Sequence, residues 1–176
     1  MDRSREIPLT KDDLRVVVRY ALECSTTAAA LLPPAVSDTR PWEALDAART
    51  FADGGRRTRR QRSAAVEAHR AARDLGQSPA GLAARAAGDA AAAAYLHPLA
   101  DATQVRHILG AGAAAAHARM LAAGEELSVD EALREPVALA SPALVDVLLR
   151  FPPAPRGRST VATTTSRLDQ LLRTGR

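Results

Sequence analysis

Apolar residues recur along most of this chain at the spacing of a helix face, and turn-forming residues break the pattern at intervals. Leu14, Val17, Val18, Ala21, Ser25, Ala28 and Leu32 share one face, which predicts a first helix over residues 10–32. Thr10 is placed to cap it, with Asp13 three residues on as an acidic capping-box partner. Pro33-Pro34 closes it, because proline cannot continue the hydrogen-bond ladder. Trp42, Leu45, Ala48 and Ala52 mark a second helix from Asp38 or Thr39 to Gly54-Gly55, and a third spans 57–75 before Gly76. Ser78-Pro79 is a capping residue followed by a first-turn proline, so a fourth helix starts there and runs to Leu96. His97 precedes Pro98, and a residue before proline is pushed out of the helical region, so a break is expected.

A fifth helix starts at Asp101 with Gln104 in support and ends at Gly124. Ser128 with Glu131 opens a short sixth helix to Arg134, and Ser141-Pro142 opens a seventh that Phe151-Pro152-Pro153 stops. Residues 153–165 read as an extended loop, followed by a last short helix over 166–173 with Leu168, Leu171 and Leu172 on one side. No convincing strand alternation and no fixed-period repeat is present. The fold expected is all-α, a single-domain bundle of about five main helices with short C-terminal helices. An N-terminal tail covers 1–9, the bundle 10–151, and a Pro/Arg-rich loop with its short helix 152–176. The Ala-rich helices around 79–96 and 101–123 should form the centre.

Composition sharpens this picture. Roughly forty residues are alanine, the strongest helix former, and aromatics are only 3%. Such a core gains its stability from many small contacts rather than a few large ones. The net charge is +4, and all but Lys11 of the 24 basic residues are arginine. That charge over this length is too mild to establish nucleic-acid or membrane binding. The one cysteine, Cys24, excludes a disulfide within the chain. No signal-peptide pattern opens the sequence and no apolar run approaches the ~20 residues of a membrane span, so a cytoplasmic protein is expected.

The chemistry is concentrated after residue 85. Gly88, Gly110 and Gly112 lie inside long helices, where each costs about 1 kcal/mol relative to alanine. They leave room for a crossing helix or for a ligand. Asp89 sits among small residues with Arg85 one turn earlier. It is either half of a helical ion pair or a general base or ligand anchor. The segment 95–107 brings Tyr95, His97, Asp101, Arg106 and His107 to the helix break. Those groups either line a pocket there or satisfy the exposed backbone. Metal and cofactor motifs are absent: the histidines match no zinc spacing, there is no H-E-x-x-H, and no phosphate loop follows a strand. Arg56, Arg57, Arg59, Arg60 and Arg62 open the third helix, where cations sit badly against the helix dipole. The cluster reads as a solvated helix start, with an acidic protein partner as the functional alternative. Nucleic acid is the weakest reading, for want of a reading head or interleaved aromatics.

Several stretches together resemble a known family. They are LRVVVRYALEC at 14–24, RPWEALDAAR at 40–49, AHRAAR at 68–73, ARAAGDA at 84–90, and YLHPL at 95–99 leading into QVRHILG at 104–110. In order and spacing they are similar to the immunity-five-like proteins of actinobacteria, over about residues 10–125 and more loosely in the Pro-rich tail. The resemblance implies a compact helical domain that binds and neutralises a partner toxin, and it supplies no catalytic residues. The leading expectation is a non-enzymatic immunity-type protein that blocks its partner sterically. The alternative is a small helical enzyme or ligand-binding protein with a polar pocket around 89–107. An exposed Leu168, Leu171 and Leu172 face would suit a homodimer.

Overall fold

A computed structural model describes residues 6–175, and among them the only secondary structure beyond one isolated bridge is helical. The eight α-helices are α1 (Lys11–Thr26), α2 (Arg40–Ala52), α3 (Arg59–Asp74), α4 (Pro79–Ala92), α5 (Val105–Ala123), α6 (Val129–Leu139), α7 (Pro142–Leu149) and α8 (Thr160–Thr174). The starts follow local side-chain chemistry. Thr10 with Asp13, Thr58 with Gln61, and Ser128 with Glu131 each form a complete capping box, satisfying backbone N–H groups that the first turn leaves without partners. Ser78 and Ser141 cap α4 and α7 just before Pro79 and Pro142.

The α4–α5 pair is the centre of the bundle. Along α5, residues 108–116 are all buried, almost all of them alanine or glycine around Ile108 and Leu109. A helix apolar on every side belongs inside a protein. The helix α4 packs against α1, α2, α3 and α5, while α5 also meets α6 and α8. Ser25 on α1 shows how closely these backbones approach: its hydroxyl oxygen lies 2.8 Å from the Ala21 carbonyl oxygen and 2.9 Å from that of Ala86 on α4.

Several elements differ in extent from the sequence expectation. The first helix stops at Thr26, and a 3-10 turn over Ala29–Leu31 continues the path to Pro33. The fourth ends at Ala92, with a 3-10 turn over Ala93–Tyr95 before the break. In α6 the helix runs through Pro136 to Leu139. Proline there removes the donor that would bond the Ala132 carbonyl, and Arg119 Nη2 on α5 donates to that carbonyl instead at 2.6 Å. The last helix starts at Thr160 rather than at residue 166. Ser159 caps it, and Thr164 and Thr165 donate their hydroxyls to the carbonyls of Thr160 and Val161, so the threonine run is accommodated within the helix.

The helix α8 is docked, not appended. Leu168 and Leu172 are buried and Leu171 packs against the core, so this leucine face is spent within the chain and offers no ground for a dimer. Buried Asp169 accepts from the Ala154 N–H at 2.9 Å and pairs with Arg173 at 2.7 Å. Arg173 also donates to the Leu148 and Phe151 carbonyls at the end of α7. This latch fixes the 152–159 connection against the bundle.

Candidate functional site: a polar cavity beside the central helices

On one flank of the α4–α5 pair, α3 and α8 diverge and leave a half-open cavity of about 820 Å³. Its polar floor is a pair of side chains from two helices. His69 on α3 places Nε2 2.9 Å from Asp89 Oδ1 on α4, and Arg85, one turn before Asp89, holds its Nε 3.7 Å from Oδ2. The side chains of His69 and Asp89 keep 33% and 21% of their surface open, so a molecule in the cavity can reach both. The helical ion pair expected from Arg85 and Asp89 is therefore present, but the shorter bond goes to a residue of another helix.

Two helix glycines make this floor. A Cβ at Gly88 would lie 2.6 Å from His69 Cδ2, and a Cβ at Gly110 would lie 3.3 Å from Asp89 Oδ2. What crosses these glycines is an imidazole and a carboxylate, not another backbone. Gly112 faces α1 and the later part of α8, where a Cβ would meet Tyr20 Oη at 3.2 Å, Cys24 Sγ at 3.3 Å and Leu168 Cδ2 at 3.4 Å. Burial pushes the Cys24 thiol up to about 12 and raises the Tyr20 hydroxyl as well, which favours the neutral thiol within the packed core.

The cavity walls carry three arginines, Arg73, Arg85 and Arg106, and a second imidazole, His107. Burial, reinforced by the neighbouring Arg106 charge, holds His107 below the usual histidine range. The remaining wall is largely apolar: Leu82 and Ala92 from α4, and Pro155, Val161 and Ala162 from the C-terminal segment. Of the pocket candidates from the sequence, Asp89, Arg106 and His107 come together here. His69 and Arg73 escaped notice because they belong to a helix well upstream, and no local spacing links them to Asp89. The C-terminal wall escaped because residues 153–165 carry no chemical motif.

Tyr95, His97 and Asp101 lie outside the cavity lining. Tyr95 donates its hydroxyl to the Thr58 carbonyl at 2.6 Å, and its ring is covered by the guanidinium groups of Arg57 and Arg62 at 5.4 and 4.6 Å from the centroid. The His97 backbone N–H donates to Gln104 Oε1, and Asp101 accepts from the Thr103 N–H. The chain at the break is also held by the Ile7 N–H, which donates to the Pro98 carbonyl at 2.9 Å.

The arginine cluster divides. Arg57 stacks on Tyr95 and donates to the Ala94 carbonyl, and Arg60 pairs with Asp46. Arg56 and Arg59 are exposed, and no acidic partner for either is seen among the described residues. Arg56 and Arg57 precede α3 and Arg59 is its first residue, so the Thr58–Gln61 box, not the arginines, satisfies the helix start.

The chain is thus an all-helical domain with a charged cavity beside a sealed alanine core. The family model described as "Imm-5 like putative immunity protein" matches residues 8–138, and the chain belongs to this family. Comparison with curated proteins and with solved structures finds no match. The matched region covers α1 to α5 and nearly all of α6. The Ala154–Thr165 wall of the cavity lies beyond it.

Proposed function

We propose that this protein is an immunity-type binding protein that neutralises a toxin by occupying its working surface. The observation that carries this reading is the family match, which takes in most of the bundle rather than a local motif. The exposed arginines Arg56 and Arg59 supply charge for meeting an acidic partner surface, with Arg57 and Arg60 beside them already tied into the fold. Charges of this kind on an interface rim act mainly on association rate and partner choice. No helix among the described residues is long and apolar enough to cross a membrane.

The test is co-expression with each toxin candidate encoded beside its gene. One toxin should cease to arrest growth when this chain is present, and the purified pair should form a complex that slows in association when Arg56 and Arg59 are changed to Glu. Persistent growth arrest with every candidate, while the chain accumulates folded, would contradict the proposal.

The cavity favours a second reading, a small-molecule binding protein or small helical enzyme. Its size suits a metabolite, since ligand pockets span roughly 300–1,000 Å³, and Asp89, Arg106 and His107 all open into it.

A further inference from the structure

We propose that the cavity beside α4 and α5 is a binding site for a small organic oxyanion, with a carboxylate or phosphate head and a compact apolar body. The inference rests on the ligand-binding reading and not on toxin neutralisation. Three arginines face this space against one carboxylate, Asp89, and that carboxylate is already engaged by His69 at 2.9 Å and by Arg85 at 3.7 Å. No hydrogen bond or ion pair to the guanidinium of Arg73 or Arg106 is seen among the described residues. A guanidinium offers a planar fork of donors that matches a carboxylate or phosphate edge.

The helices add to this field. The first turns of α4, α5 and α8 all border the cavity, through Gly81, Arg106 and Ala162. Ser78 and Ser159 cap the Gly81 and Ala162 N–H groups, so these helix starts add positive dipole potential to the space rather than free donors. A cationic ligand would therefore meet arginines, helix N-termini and an occupied acid. An anion meets the guanidinium donors of Arg73 and Arg106, for which no partner is seen among the described residues.

The body of the ligand follows from the other wall. Leu82 and Val161 are buried residues that border the space, with Pro155 opposite a polar floor. A purely inorganic anion would leave that surface wet. A head group with a ring or short chain attached would cover it.

Calorimetry and thermal melts with four probes test this: benzoate, phenyl phosphate, benzamide and benzylammonium. Benzoate or phenyl phosphate should bind and raise the melting temperature, with no response to benzamide or benzylammonium. Binding should weaken at least tenfold in Arg73→Gln and in Arg106→Gln, both surface changes, and stay within twofold in Arg56→Gln on the separate arginine cluster. Equal binding of benzamide would overturn the oxyanion assignment while leaving a ligand pocket. No binding of any probe would overturn both. An equal loss in Arg56→Gln would show that the anions respond to overall charge, which also overturns the site. None of these results bears on toxin neutralisation.

Discussion

The two flanks of the α4–α5 pair use the same small residues to opposite ends. On the α1 flank the glycine and alanines let backbones and side chains close completely. Val17, Val18, Ala21 and Cys24 are sealed against the centre, and a Cβ at Gly112 would meet Tyr20, Cys24 and Leu168. On the α3–α8 flank, Gly88 and Gly110 leave room for His69 and Asp89, and the walls part to form a cavity. A glycine within a helix therefore does not by itself announce a helix crossing. What covers it decides, and on the open flank the covering groups are polar and reachable.

The largest effects should come from the sealed flank. Leu109 is fully buried in α5, so Leu109→Ala should cost about 2–5 kcal/mol in urea unfolding through lost transfer energy and a residual cavity. Next comes a matched pair of glycine changes. Gly112→Val adds volume where even a Cβ meets three neighbours, and it should destabilise by about 1–3 kcal/mol. Gly110→Ala meets only the Asp89 carboxylate, and the gain of about 1 kcal/mol in helix propensity should offset the crowding. Its stability should stay within about 1 kcal/mol of the parent, with a disturbed His69–Asp89 pair as the readable change. Equal losses in the two variants would erase the distinction between the flanks.

A smaller effect concerns pH. Burial holds His107 and His117 below the ordinary histidine value, with the nearby Arg106 and Arg85 charges adding to it. The unfolded chain then binds more protons than the folded one between the lowered values and the ordinary value near 6.5. Stability should accordingly fall as pH drops from about 6.5 towards the lowered folded-state values, then level off below them. Thermal melts across that range check it, and His107→Gln should flatten part of the slope. The smallest expected change is in Arg106→Gln, whose side chain is exposed and has no hydrogen bond or ion pair seen among the described residues. Its stability should shift by no more than about 0.5 kcal/mol.

Much of the fold was legible because helix starts are local events. Thr10 with Asp13, Ser78-Pro79 and Ser128 with Glu131 act within one turn, so the sequence shows them directly. What was not legible depends on distant partners. Pro136 looks like a stop until Arg119 of another helix takes the carbonyl it frees. The threonines of α8 look like loop residues until their hydroxyls fold back onto their own helix. The site divides in the same way. Asp89, Arg106 and His107 stood out beside the helix break, whereas His69 and Arg73 reach the cavity only through the packing of α3 on α4. The sequence places Tyr95 among the pocket candidates, whereas its ring carries Arg57 and Arg62 and its hydroxyl donates to the Thr58 carbonyl.

The four histidines report on these regions separately. His69 and His107 line the cavity, His97 lies at the break, and His117 sits further along α5. The most direct measurement is an imidazole-detected NMR titration of the folded protein with benzoate. If the open flank is the working side of the α4–α5 pair, the His69 and His107 resonances should move in a saturable way while those of His97 and His117 stay in place. Resonances that all remain still, or that all drift together, would contradict that claim and leave the cavity as a gap in packing.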